Sequence, residues 1–222
     1  MAFVETTTRP KVRQAAIGRA ADKLPDARTA VDRIVDLIVD EATDEEWQAG
    51  IGWYPTASVI AEELARTGGI THRQAAGIIA ALSPQTGWAE NIARAVEMVE
   101  TGNAPHFTNC VDKAAAILDG ADPFDVLRGR KVRSFFACIL RPSQAGPVTV
   151  DRHAVAVVFG RPLTDKEAKV LERIGAYTLV ASFYRAAARQ LGISPAECQA
   201  IAWVTWRRLN AVSDHHSQVE AF

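Results

Sequence analysis

The sequence has few cysteines and no long hydrophobic run. Its 222 residues include three cysteines, Cys110, Cys138 and Cys198, an odd number without a Cys-x-x-Cys pair. This pattern argues against a disulfide framework and against a cysteine-based zinc or iron–sulfur site. No apolar stretch approaches the roughly 18 residues that span a bilayer, and the first residues lack the apolar core of a secretion signal. We therefore expect a cytoplasmic protein that has no membrane partner.

The sequence also has little net charge. Lys and Arg together number 25 and Asp and Glu 26, which gives a formal net charge of −1 at pH 7. Such a balance argues against indiscriminate binding of polyanions. Any contact with a nucleic acid would need basic residues that cluster on one face.

Alternating strand patterns, internal repeats and low-complexity segments are absent or nearly so. Apolar residues instead recur at spacings of three and four, between short turns with Pro or Gly, and this predicts an all-α fold. The length suits one domain over residues 1–222, built as two helical lobes that share a cleft. The one strand-like piece is 148–150. The predicted helices cover residues 10–23, 26–42, 55–67, 71–83, 86–101, 109–119, 129–140, 151–159, 164–173, 175–191 and 195–211.

A polar turn between two helices is the first segment that suggests chemistry. Residues 80–91 read AALSPQTGWAEN, an apolar helix stopped by proline, then a turn, then a new helix. Gln85 lies on this turn, where a side chain can leave the protein and enter a partner. The structural alternative is a simple connector in which Ser83 or Thr86 caps a helix.

A glycine surrounded by cations precedes a later helix. Gly129 follows Arg128 and precedes Arg130, Lys131 and Arg133. Glycine lets backbone N–H groups approach a phosphate closely, and the dipole of the following helix favours an anion. The segment therefore predicts a phosphate-binding device, with a helix N-terminus bearing solvated cations as the alternative.

Asp151 is a lone carboxylate between the β-branched run 148–150 and an apolar helix. As a structural residue it would cap that helix. At the lip of a cleft the same group can stabilise positive charge that develops on a sugar, or deprotonate a water. We predict that Asp151 is the central catalytic carboxylate, a role that capping does not exclude.

Taken in order, these segments resemble the core of the helix-hairpin-helix DNA glycosylases. The resemblance covers about residues 70–160: the LSPQT turn with Asn91, the helix that starts with DKA at 112–114, the basic hairpin, and the Val-Asp-x-His pattern at 150–153. It implies a two-lobed helical fold with a central cleft, in which Gln85 fills the space left by an extruded base. The hairpin departs from the family pattern, since it is shorter than usual and has one glycine, and the iron–sulfur cysteines of some members are absent.

The resemblance also implies roles for the remaining site residues. Lys131 falls where some members keep a lysine that forms a Schiff base, so it is a second catalytic residue or else a phosphate contact. Residues expected on the DNA are Gln85, Gly129, Arg128, Arg130, Arg133 and Arg152. Residues expected in the base pocket are Trp53, Tyr54, Asn91 and His153. The aromatic residues could equally be core rings.

The segment GWYP at 52–55 and the helix with Trp203 and Trp206 resemble a branch of small glycosylase-like proteins of phages and actinobacteria linked to modified thymines. The wider glycosylase resemblance implies an enzyme that flips a DNA pyrimidine and removes the base, as in DNA repair, whereas this branch implies transfer of a group onto the base. The alternative is a transferase that adds an amine or amino acid to an activated 5-hydroxymethyl pyrimidine in DNA hypermodification. A non-catalytic DNA-binding protein and a helical protein with no DNA role stay open.

DNA is therefore the expected partner, with a small amine or amino acid as co-substrate in the transferase alternative. We expect a monomer that uses no cofactor. The adjacent residues His215 and His216 are typical of a solvated terminus, so we predict no metal site.

Overall fold

In the computed structural model the chain is a series of helices joined by short turns. The structure describes residues 21–143 and 146–210, and no β-strand occurs within these ranges. This confirms the all-α prediction. The helices are α1 (Ala27–Asp36), which continues into a π-helical turn (Leu37–Glu41), α2 (Asp44–Gly68), α3 (His72–Leu82), α4 (Trp88–Thr101), α5 (Thr108–Leu118), α6 (Pro123–Val126), α7 (Arg130–Leu140), α8 (Arg152–Phe159), α9 (Asp165–Ala168), a 3₁₀ turn (Lys169–Glu172), α10 (Ala176–Leu191) and α11 (Pro195–Leu209).

Most helix boundaries follow the prediction closely because the capping residues are visible in the sequence. Thr71, Thr164 and Ser194 each begin a helix with a reciprocal capping box. The segment 148–150 is extended but unpaired. The predicted helix 10–23 lies almost wholly outside the described residues, as do His215 and His216.

The largest error concerns α2, which was expected to begin at residue 55. It begins instead at Asp44 and carries Pro55 in its interior. Thr43 caps the new start, because its hydroxyl accepts a hydrogen bond from the Glu46 backbone while the Glu46 carboxylate accepts one from the Thr43 backbone. An interior proline costs about 3 kcal/mol or more in an isolated helix, so tertiary packing overrides the local signal here. As a consequence, Trp53 and Tyr54 belong to the middle of a helix.

Close packing of α2 against α11 illustrates that tertiary effect. A Cβ atom added at Gly50 would lie 2.5 Å from the Cα of Ile201, so only glycine permits the two backbones to approach so closely. The sequence pattern also missed the short helix α6, which Asp122 caps through the Phe124 backbone at 2.8 Å.

The buried apolar residues form two clusters, which define two lobes. The first lobe is built by α1, α8 and α10, with Ile34, Val155 and Tyr184 fully buried. The second is built by α3, α4, α5 and α7. In α11, Ile201 belongs to the first cluster and Ala200 to the second. Buried residues of α2 such as Tyr54 belong to the second cluster, and its partly buried Trp47 and Ile51 pack against the first. The two helices therefore run along the junction of the lobes.

None of the helices in the described ranges has the length and apolar character needed to cross a membrane.

Candidate functional site

A cavity of about 140 Å³ lies beside α2 and α11 at the junction of the lobes. It is lined from both sides: α2, α4, α7 and α11 contribute side chains, and so do the turn between α3 and α4 and the segment that precedes α8. Residues predicted for the site from separate parts of the sequence meet here. Those residues are Trp53, Tyr54, Asn91, Lys131 and Asp151.

Aromatic rings form much of the cavity wall. The ring of Trp53 lies 5.1 Å from Trp88, 5.7 Å from Phe135 and 6.3 Å from Trp203, measured between centroids. The rings meet in tilted or edge-to-face geometry, which is the arrangement that aromatic pairs prefer. The guanidinium of Arg207 covers one side of Trp203 at 4.5 Å from its centroid. A wall of this kind suits a flat ring that can stack.

Asp151 both caps α8 and lines the cavity. Its Oδ1 accepts a hydrogen bond from the Ala154 backbone N–H at 2.8 Å, and the side chain is half-buried. Within the described residues no hydrogen bond to Oδ2 is formed. The cap therefore fixes the carboxylate and leaves one oxygen for a ligand, so the structural and catalytic roles are compatible.

Lys131 lies in the first turn of α7 and lines the same cavity, although its side chain is largely exposed. A cation and a carboxylate from opposite lobes thus border one space. Such a pair can polarise and orient a ligand from two sides.

Tyr54 anchors the floor of the cavity through buried polar contacts. Its hydroxyl is hydrogen-bonded to the Thr149 hydroxyl at 2.8 Å and donates to Gln199 Oε1 at 3.0 Å. Burial raises the pKa of Tyr54 well above its ordinary value, and it raises the pKa of Cys138, beside Thr149, to about 12. Both groups stay neutral at physiological pH, so we assign them to positioning and not to proton transfer.

Asn91 on α4 is a buried polar residue of the cavity whose hydrogen bonding is incomplete within the described residues. The residue is 2% exposed, and its Oδ1 is buried without a hydrogen-bond partner. Buried polar atoms nearly always have partners, so this oxygen requires an explanation.

Gln85 is exposed on the turn between α3 and α4, as predicted, and has an unusual backbone. Its φ of 56° makes it the one non-glycine residue with positive φ in the described ranges. That conformation costs roughly 1–2 kcal/mol for an L-residue, and such strain concentrates at functional positions. Gln85 does not itself line the cavity, but Ser83 and Thr86 on the same turn do. Gln85 therefore belongs to a turn that borders the cavity, and its own side chain is exposed.

In the segment predicted to form the basic hairpin, Gly129 is the N-cap of α7, and no side chain caps the helix. Its backbone is ordinary, with φ of −71°, and a Cβ added there would meet its nearest heavy atom, on Val132, at 3.9 Å. Neither conformation nor internal packing requires glycine at this position.

Several of the arginines that were expected to contact DNA already have contacts within the protein. Arg128 is exposed on the hairpin, and Arg130 donates to the Thr178 hydroxyl at 2.7 Å. Arg133 is half-buried, with its guanidinium 5.3 Å from the Phe124 ring centroid. Arg152 forms an ion pair with Asp165 at 3.1 Å. Arg128 and Lys131 are thus exposed cations beside the start of α7.

His153, which was expected in the base pocket, is not among the residues that line this cavity. It follows Asp151 by two positions at the start of α8, and positions i and i+2 of a helix face different directions. Because the side chain of Asp151 faces the cavity, the side chain of His153 faces a different direction.

Sequence reasoning missed several cavity residues, namely Trp88, Phe135, Thr149 and Gln199. Aromatic residues such as Trp88 and Phe135 are also common in protein cores. A local sequence pattern does not distinguish a ring that lines a cavity from one that packs in the core. In the described part of the chain, no group of His, Cys, Asp and Glu side chains is arranged to hold a metal ion.

Comparisons with curated proteins and with solved structures give no match. The model of one protein family matches residues 19–210, a range that contains the whole cavity. The chain belongs to this family, which is described as a family of unknown function (DUF7178).

Proposed function

We propose that the protein is a DNA base-directed enzyme that takes one extruded pyrimidine into the cavity and acts on it with Asp151. One observation carries the proposal: a carboxylate fixed by a helix cap and a cation on the opposite lobe border a single cavity walled by aromatic rings. Enzymes that act on bases hold the flipped base between aromatic side chains, beside the catalytic group.

The size of the cavity supports a single six-membered ring. Its volume of about 140 Å³ is close to the roughly 150 Å³ that accommodates benzene in an apolar protein cavity. A purine, with two fused rings, would extend beyond this volume towards the open side of the cavity. Pyrimidines are therefore the preferred substrate class.

Energetics favour the same interpretation. Extrusion of a base from a duplex costs a few kcal/mol. Stacking on an aromatic side chain is worth about 1–3 kcal/mol per base, and Trp53, Trp88 and Phe135 offer such a surface. Insertion of Gln85 into the vacated stack would offset part of the remaining cost.

The start of α7 is the proposed contact with the phosphate backbone. The glycine at 129 has no internal requirement, but a phosphate that approaches the backbone N–H groups would need the absence of a Cβ. Arg128 and Lys131 then supply charge beside the helix N-terminus. We assign Arg133 and Arg152 a smaller part, because protein groups already engage them.

Two reactions fit the same carboxylate. In base removal, Asp151 would stabilise the positive charge that develops on the sugar. In the alternative, amine transfer to an activated 5-hydroxymethyl pyrimidine, the amine nitrogen would bond to the methylene carbon while the activated oxygen leaves that carbon with the bonding electron pair. Asp151 Oδ2, which forms no hydrogen bond within the described residues, would accept the proton that the amine loses.

Nucleoside mass spectrometry after incubation with DNA that carries individual 5-modified pyrimidines separates these possibilities. A released base indicates a glycosylase, and a nucleoside of changed mass indicates a transferase. DNA that stays unchanged under all conditions, with and without added amines, would contradict an enzymatic role and leave a DNA-binding protein.

A further inference from the structure

The Oδ1 of Asn91 is a buried acceptor that no group in the described chain satisfies. The residue is 2% exposed and lines the cavity that also contains Asp151. A buried acceptor without a donor destabilises the fold, so a protein that keeps one gains from it elsewhere. The gain is available when a ligand brings the missing donor into the cavity.

The other buried polar side chains of the cavity, Tyr54, Thr149 and Gln199, have hydrogen-bond partners within the protein. The Tyr54 hydroxyl is bonded to Thr149 and Gln199, and Asp151 Oδ1 is held by the backbone of Ala154. Among the buried side chains that line the cavity, Asn91 is therefore the one that has an acceptor without a donor. Because it comes from α4, which also carries Trp88, it can address the edge of a ring whose face stacks on the aromatic wall.

We infer that Asn91 is the specificity-determining residue of the cavity and accepts a hydrogen bond, through Oδ1, from an N–H donor on the pairing edge of the bound pyrimidine. The inference rests on the proposed function and deepens it: the ligand is a single ring with an N–H donor at that edge. Thymine and uracil bring a ring N–H, and cytosine brings an exocyclic amine, whereas bases methylated at those nitrogens bring no donor.

Matched pairs of bases test this directly. The full-length protein is mixed with duplexes that carry thymine, N3-methylthymine, cytosine or N4,N4-dimethylcytosine, each opposite an abasic site so that none of them is paired. Stacking and extrusion are similar within a pair, and the donor differs. We expect each methylated base to bind at least about tenfold more weakly than its parent, since it leaves Oδ1 buried and unsatisfied.

The variant Asn91→Leu provides the second arm, because leucine has a similar size and has no acceptor. We expect it to lose the preference for the unmethylated bases. In the absence of DNA its melting temperature should equal or exceed that of the wild type, since the change removes an unsatisfied polar atom from the interior. A residue with only a structural role would show a lower melting temperature.

The possible outcomes test the proposed function and the role of Asn91 separately. A wild type that prefers no unpaired pyrimidine over ordinary duplex would overturn the proposed function, and the inference with it. A wild type that prefers unpaired pyrimidines but binds the methylated bases equally well, or an Asn91→Leu variant that keeps the discrimination, would overturn the inference alone. A markedly destabilised Asn91→Leu variant would also overturn it.

Discussion

A buried hydrogen bond between Tyr54 and Thr149, with 2.8 Å between the two hydroxyl oxygens, joins α2 to the segment that carries Asp151. Thr149 lies two positions before the proposed catalytic residue. The bond therefore couples the helix at the lobe junction to the position of the carboxylate.

We expect Tyr54→Phe to lower the free energy of unfolding by about 1–2 kcal/mol, because Thr149 and Gln199 lose a buried partner. A double-mutant cycle with Thr149→Val, measured by denaturant unfolding, should give a coupling energy of about 0.5–1.5 kcal/mol. Strictly additive effects of the two changes would mean that the bond contributes nothing.

Asp151→Asn should keep the fold and DNA affinity while it lowers turnover by at least about a hundredfold. Asparagine ranks with aspartate as an N-cap, so the bond from Ala154 survives. The charge that stabilises a cation or accepts a proton does not survive, and such a group contributes about 10² to 10⁴ in rate.

Asp26→Asn is the matched control, because Asp26 caps α1 through the backbone of Thr29 and does not line the cavity. Its activity should equal that of the wild type. Equal turnover by Asp151→Asn and the wild type would reduce Asp151 to a helix cap.

DNA affinity should fall with salt, and the start of α7 should account for much of that dependence. In Arg128→Ala/Lys131→Ala the slope of log affinity against log salt should flatten by roughly 0.9 for each phosphate that the protein no longer neutralises. Arg152→Ala should change the slope little, because Asp165 already pairs with Arg152. Fluorescence anisotropy over a salt series provides the slopes, and an unchanged slope in the double variant would remove the hairpin from the DNA interface.

Gln85→Gly should stabilise the fold by about 0.5–1 kcal/mol, since glycine adopts a φ of 56° without the cost that a side chain imposes. The same variant should bind an extruded-base duplex more weakly, because the side chain that enters the stack is gone. Thermal melts and binding to a duplex with an abasic site measure the two effects. A variant that gains stability and keeps full affinity would show that Gln85 has no part in binding.

The ion pair between Glu46 and Arg208 predicts a dependence of stability on pH. Burial raises the pKa of Glu46, but the hydrogen bonds from Arg208 at 2.6 Å and from the Thr43 backbone outweigh it, so the pKa lies below its ordinary value. Its contribution to stability is therefore complete above the unfolded-state pKa, about 4.3, and is lost as the pH falls through the folded-state value.

Glu46→Gln should melt at a lower temperature than the wild type at pH 7, and the difference should shrink towards pH 3. Glu62→Gln, an exposed change on the same helix, serves as the control. A difference between wild type and Glu46→Gln that stays constant from pH 7 to pH 3 would rule out the ion pair as its cause.

The local pattern of the sequence determined the all-α class and most helix boundaries. Apolar spacing and capping residues such as Thr71 and Ser194 act within one turn of helix, so they can be recognised without knowledge of the rest of the chain. The exposed turn at Gln85 and the cap at Asp151 were predicted for the same reason.

Only the tertiary structure decided which side chains share the cavity. Local rules would end a helix at Pro55, but packing of Gly50 against Ile201 extends α2 through it and brings Trp53 and Tyr54 to the lobe junction. The partners that engage Arg133 and Arg152 lie on other helices, and the unsatisfied oxygen of Asn91 follows from how α4 packs in the fold. Side-chain direction and burial arise from contacts between helices, and a one-dimensional pattern does not record those contacts.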